Sequence, residues 1–236
     1  MLNTQKVNDI GMFIKFSILV LIALLFVFAE SVRAQQMIID DAAITTHRSF
    51  QIETWRGDFD TIFQPAVGLT SNLELSTGLF FDSKSDFSFA GWSLEAKYVF
   101  RDLDDAGSAW GFVAGSFFSD EASLEEIFVY LPYSRFILGG SSVLHLNAGL
   151  AFSELNDGTH TDFIYGVRGD FGVHDRLSLL SEVFAVGSDF GYQAGVRFGI
   201  IPNLLELDVT YGHDFSRRNT FPGFTVGIAF TPDKLW

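Results

Sequence analysis

The chain has no cysteine and only five prolines in 236 residues. Without cysteine there is no disulfide, no thiolate metal site and no cysteine nucleophile, so stability must rest on backbone pairing and burial. Basic residues are scarce as well: 15 Lys and Arg stand against 29 Asp and Glu, a net charge of −14. That excludes the basic footprint by which proteins hold nucleic acid. Also missing, after residue 34, is any sustained 3.6-residue hydrophobic period, so no long amphipathic helix is expected. What the sequence holds in quantity is aromatic and small, with 27 Phe and 22 Gly in a chain that is 48% hydrophobic. Such a composition is too apolar for a disordered chain, and the length fits one folded domain.

Lys6 and Lys15 precede the apolar run FSILVLIALLFVFA (Phe16 to Ala29), and SVRA (Ser31 to Ala34) follows with small residues at cleavage-site spacing. This predicts a secretory signal peptide over 1–34, because the run falls short of the ~20 apolar residues needed to cross a bilayer. The mature chain is then expected to begin near Gln35, with 12 basic against 27 acidic residues, net −15. Residues 35–47 are read as a periplasmic N-terminal segment and 48–236 as the folded domain.

From residue 48 onward, alternation of period two recurs in runs of strand length. The runs are 48–56, 61–70, 73–81, 89–100, 109–118, 127–138, 143–153, 161–172, 177–186, 190–200, 203–213 and 222–231. Twelve is an even number, as in bacterial outer-membrane barrels. Tight breaks at TSN (70–72), GGSS (139–142), VHDR (173–176) and PN (202–203) alternate with mostly longer polar ones at 82–88, 119–126, 154–160 and 214–221. Short turns at one end and longer loops at the other mark a transmembrane barrel. RDLDDAGS (101–108) and GSD (187–189) depart from this rule.

Alternation alone does not say which face is inside; residue size decides. In 203–213, Leu205, Leu207, Val209 and Tyr211 oppose Glu206, Asp208, Thr210 and Gly212. A face of Gly, Ala and Thr makes a crowded interior, whereas a continuous band of large apolar residues is rare on soluble monomers. So Leu73, Leu75 and Leu79 are predicted to meet lipid while Glu74, Ser76 and Gly78 point inward. The alternative is a secreted β-sandwich with its apolar face packed inside. In hydrocarbon an open sheet edge has no partner, so the first and last strands must pair. Aromatics near strand ends (Trp55, Phe80, Phe81, Trp92, Phe100, Trp110, Phe117, Phe118, Tyr211 and Phe221) are expected to form interfacial girdles. The fold class is thus an all-β, antiparallel, up-and-down transmembrane barrel of about 12 strands.

The signal segment, DDAAITTHRSFQIETW (40–55) and PAVGLTSNLELSTGLFF (65–81) together resemble the small outer-membrane barrels of the phenol-degradation meta-pathway transporter type. The resemblance implies a transport-related protein of the Gram-negative outer membrane, in contact with membrane lipid and lipopolysaccharide and delivered by the barrel-insertion machinery. Barrels of that type end on a terminal aromatic. Here TPDKLW (231–236) follows Phe230, so Phe230 and Trp236 are both candidates for the residue that the machinery reads.

The inward parity selects Glu53, Glu74, Glu95, Lys97, Arg168, Asp170, Glu182, Arg197, Glu206 and Asp208 as lumen-lining residues, with Arg135 dependent on register at Pro132. Ionisable groups at membrane depth should face water or one another. One reading is a water-filled channel whose acidic excess favours cationic or neutral polar small solutes; the other is a closed interior stitched by Arg and Lys to carboxylates. Pro65 and Pro132 each delete a ladder hydrogen bond and are expected to mark strand bulges, with a lateral opening as a possible consequence. In a closed barrel the loops 82–88, 119–126 and 214–221 would be the partner-binding surface. A lipid-modifying enzyme would need a nucleophile beside His145 (Ser141 and Ser142 precede it) or beside His213. No G-x-S-x-G elbow and no paired-His motif is present, so no catalytic residue, cofactor or metal is expected.

Overall fold

The computed structural model describes residues 37–84, 86–155, 158–215, 222–233 and 235; the predicted signal peptide lies outside them. Twelve antiparallel strands run in chain order: β1 (Phe50–Gly57), β2 (Asp60–Gly68), β3 (Leu73–Asp82), β4 (Ser88–Arg101), β5 (Ser108–Ser119), β6 (Leu124–Ile137), β7 (Ser142–Leu155), β8 (Gly158–His174), β9 (Leu177–Val186), β10 (Asp189–Ile201), β11 (Leu205–Asp214) and β12 (Pro222–Phe230). Each pairs with its chain neighbours, and β1 pairs with β12 from Ile52↔Phe230 to Gly57↔Thr225, closing the barrel. Every run expected from period-two alternation is a strand.

The faces follow residue size as anticipated. Leu75, Leu94, Phe112, Leu131, Phe163, Val196 and Ile228 stand exposed on the outside, while Glu74, Ser76, Asn147 and Thr210 are buried inside. Outward rings stack near the strand ends, Phe100 on Trp110 and Trp92 on Phe118, each pair with centroids 4.2 Å apart. Three expected girdle members do not belong there: Trp55, Phe80 and Phe117 line the interior, because they share parity with the inward residues of their strands. Phe221 lies outside the described residues.

The tight turns follow from local chemistry. At 69–72, Thr70 Oγ1 accepts from the Asn72 and Leu73 amides at 3.1 and 3.0 Å, and Asn72 Nδ2 donates to the Val99 carbonyl of β4. The long turn at 102–107 is one helical turn, α1 (Leu103–Ala106), capped by Asp102 and ended by Gly107 in the left-handed region.

Register corrects the expectation for the prolines. Pairing of β2 with β3 passes from Phe63↔Leu79 to Ala66↔Ser76 without a shift, and Pro132 pairs in register with Asn147. Each proline leaves a gap in one ladder and no extra residue, so neither is a bulge. The shifts fall at Phe80/Phe81, Val99/Arg101, Phe117/Phe118, Gly172/His174 and Gly199/Ile201. With register kept through Pro132, Arg135 is exposed on the outside.

Beyond β12 the chain folds back over the seam. Ser49 Oγ donates to the carbonyls of Pro232 and Asp233 at 2.6 and 2.9 Å, and the Leu235 amide donates to Arg48.

Candidate functional site

Residues 37–47, expected as a periplasmic lead-in, instead run inside the barrel. Both belong to one compact unit, Arg33–Trp236. Among the described residues the segment has no sheet partner apart from a single bridge between His47 and Gly68, so inward side chains must satisfy its backbone. Glu182 accepts the Ile38 and Ile39 amides on its two oxygens at 2.9 and 3.0 Å. Asn147 bonds Asp40 at both backbone groups, each at 2.8 Å. Ser134 Oγ accepts the Ala42 amide at 2.8 Å, Arg168 Nη1 donates to the Ile39 carbonyl at 2.9 Å, and Glu74 accepts the Thr45 amide. Bonds to charged groups contribute on the order of 1.5–3 kcal/mol each. Two glycines make the room: a Cβ on Gly166 would lie 2.4 Å from Ile39 Cδ1, and one on Gly68 would lie 2.4 Å from the carbonyl oxygens of Thr45 and Thr46. Ile39 is fully buried as a result.

The side chains of this segment are held too. Lys97 reaches Asp40 at 2.7 Å and Asp41 at 3.9 Å, and Tyr130 donates to Asp40 at 3.0 Å. Burial alone would raise the Asp41 pKa. The fields of Lys97, Arg168 and His145 and the Ala43 amide outweigh it and hold the carboxyl below its usual range.

On the side of the lumen formed by β8, β10 and β11, carboxylates and guanidinia are matched. Arg168 grips Asp170 with two bonds of 2.7 and 2.6 Å. Arg197 grips Asp208 at 2.8 and 2.6 Å and lies 3.4 Å from Glu206. His145 bridges this system to the segment: Nδ1 is 2.8 Å from Ser134 Oγ, and Nε2 is 3.7 Å from Asp170. Neither Ser141 nor Ser142 is the serine beside His145. Ser134 Oγ is buried under the Ala42 amide, so this trio serves as a latch for the segment. His213 is bonded to the Asp214 carbonyl.

The side formed by β1 to β6 carries rings. Phe80 meets Phe117 edge-on at 5.1 Å and packs against Trp55 and Ile62. Glycines seat these rings: positions where a Cβ would stand at Gly115 and Gly227 are taken by Phe128 and Trp55.

Between the two sides lies a cavity of about 460 Å³, part of whose wall is the inserted segment, from Met37 to Ile44. Eight of the ten residues selected from the sequence line it: Glu53, Glu74, Glu95, Lys97, Arg168, Arg197, Glu206 and Asp208. Asp170 and Glu182 stand behind it, bound to Arg168 and to the segment's backbone. The sequence reading missed the segment itself, the inward rings, and Glu126, Tyr130, Ser134 and Asn147. Parity would have given the rings, since Trp55 follows Glu53 by two and Phe80 follows Glu74 by six.

Three solved structures share the architecture. The chain is similar to a KdgM porin (12% identity, TM-score 0.61, 78% of this chain and 99% of that one). It is similar to a NanC porin (9%, 0.54, 78% and 100%), and to the COG4313 outer membrane channel from Pseudomonas putida F1 (12%, 0.52, 81% and 97%). At such identities these establish the outer-membrane barrel fold. No curated protein matches the sequence significantly. A family model described as "Uncharacterised conserved protein UCP029691" matches residues 21–230.

Proposed function

The chain belongs to this uncharacterised family, and from that premise we propose that it is a channel of the Gram-negative outer membrane, passing small solutes passively through a lumen that residues 37–47 constrict. The carrying observation is a closed barrel whose polar inner face surrounds a cavity of about 460 Å³ in place of a filled core. A barrel of twelve strands lies between the side-chain-filled eight-strand case and open porins of sixteen, and an inserted segment is one way to narrow it. The structural neighbours, two porins and an outer membrane channel by name, favour the same reading. An acidic lining favours cationic or neutral polar solutes over anions. Membrane lipid and lipopolysaccharide surround the barrel in this reading, and the insertion machinery reads Phe230 or Trp236.

The resemblance to phenol-degradation transporters supplies a second reading, in which the solute is a small neutral aromatic. The wall of Trp55, Phe80 and Phe117 is the observation that favours it.

Single-channel recording of the mature protein in planar bilayers tests the channel, with the heat-dependent gel shift as proof of folding. Discrete, cation-preferring steps that grow when residues 37–46 are removed are the expected result. A folded barrel that stays silent even without the segment would overturn it and leave a closed, partner-binding barrel, with its loops as the contact surface.

A further inference from the structure

The carboxylates that line the cavity fall into two sets. Asp40, Asp41, Asp208 and Glu206 have Lys97 or Arg197 within ion-pair distance, and Glu74 is engaged by the Thr45 amide. Glu53, Glu95 and Glu126 also line the cavity, yet among the described residues none of them has a Lys, Arg or His that close. Carboxylates at membrane depth are expensive and are found facing water or a counter-charge. Here they face the rings.

The pairing register shows how closely the two are placed. Glu95 pairs with Gly115, and Gly115 pairs with Phe128, so the three form one row across β4, β5 and β6. Because Gly115 has no Cβ, the Phe128 ring lies over that position, toward Glu95. On β1, Glu53 and Trp55 share the inward face, and the Trp55 ring lies over Gly227 of β12. Each ring thus rests on backbone at its back and borders the cavity in front. Carboxylates beside aromatic faces, around a volume within the ~300–1,000 Å³ of small-molecule sites, are the arrangement that holds a cation with an apolar body. A metal ion fits poorly: no group of three or more His, Asp or Glu among the described residues converges with metal-binding spacing.

We propose that this half of the cavity binds a small organic cation of the alkyl- or arylammonium class, its charge between Glu53 and Glu95 and its apolar body on Trp55, Phe80 and Phe128. The proposal deepens the channel reading by naming its solute class, and it rests on that reading only for how the solute arrives.

The test is equilibrium binding by the mature barrel in detergent micelles, followed by titration calorimetry. Benzyltrimethylammonium chloride is compared with potassium chloride, phenol and benzenesulfonate at matched ionic strength. Saturable binding of the ammonium alone is expected. It should weaken by about tenfold or more in the Glu53→Gln/Glu95→Gln double variant, as for a desolvated charge contact. Phe128→Leu should weaken it by roughly threefold, through loss of one ring face, and Glu121→Gln, in an exposed loop, should change nothing. Equal binding of phenol would overturn the proposal in favour of a neutral aromatic site, and equal binding of potassium would reduce the site to a plain acidic lumen. These two comparisons use the unaltered protein, so they decide the matter even where a variant fails the gel-shift assay. A barrel that binds the ammonium but does not conduct removes the channel and leaves the site; one that conducts without binding it removes this proposal alone.

Discussion

Across one lumen, β8 and β10 carry Arg168 and Arg197, each locked by two bonds to an aspartate, whereas β1, β4 and β6 carry Glu53, Glu95 and Glu126 with rings for company and no base within reach among the described residues. The first wall spends its charge internally: guanidinium, carboxylate and the backbone of residues 38–42 satisfy one another. The second sets its carboxyl groups on the cavity wall without a Lys, Arg or His at ion-pair distance among the described residues. The second wall also holds the segment, through Glu74, Lys97, Tyr130 and Ser134, but its Glu53 and Glu95 take no part in that, and substitutions should show the difference.

The largest effect is expected on the matched wall. Arg168→Leu removes the two-bond partner of Asp170 and the donor to the Ile39 carbonyl, leaving the carboxylate only His145 and Arg197 at 3.7 and 3.8 Å, and should destabilise by about 3 kcal/mol. Denaturant titration of the micellar protein measures it. The mirror experiment, Glu95→Gln, strands nothing and should leave stability within ~0.5 kcal/mol; an equally large loss there would erase the contrast between the walls.

Next in size is Gly166→Val. Its side chain would meet Ile39 and also the Val183 carbonyl and Phe184 Cα of β9, an overpacking that costs about 1–3 kcal/mol and should loosen the segment together with the wall behind it. Protease cleavage between residues 37 and 47, together with larger conductance steps, would report it. Acid gives a smaller effect of known sign. The Asp41 carboxyl is held below its usual range, so its contribution to seating is complete above about pH 4 and is lost as pH falls through the lowered folded value. Protection of the segment should therefore fall in strong acid, and Asp41→Asn should flatten that step. Smallest is Pro132→Val: with register continuous through this position, conductance and solute uptake should be unchanged, and an altered uptake would revive a lateral opening there.

The barrel was legible in the sequence because a strand with lipid on one side and water on the other must alternate, and alternation fixes parity. Leu73 to Phe81 alone gave the inner and outer faces of β3. The inserted segment was not legible, because MIIDDAAITTH (37–47) has no period and its bonds span up to 144 positions, from backbone amides to side chains whose choice of partner no local pattern records. A faint signal existed nonetheless. The two stretches that carry the family resemblance, 40–55 and 65–81, meet in space, where the Thr45 amide bonds Glu74 and the carbonyls of Thr45 and Thr46 crowd Gly68. The prolines misled for a different reason. A missing ladder bond is absorbed by a gap as readily as by an extra residue, and sequence does not distinguish the two.

The segment inside the lumen is the direct N-terminal extension of β1, and β1 meets β12 to close the cylinder. Seating and closure therefore share a clock. A nascent sheet of β2 to β12 is still an open sheet, and its Glu182, Asn147 and Ser134 can be reached sideways. Once β1 zips onto β12 and the tail past Pro232 folds over Arg48 and Ser49, a chain left outside must thread in end-on. The order in which seam and segment form is thus expected to bear on occupancy of the lumen alongside the strength of the finished contacts.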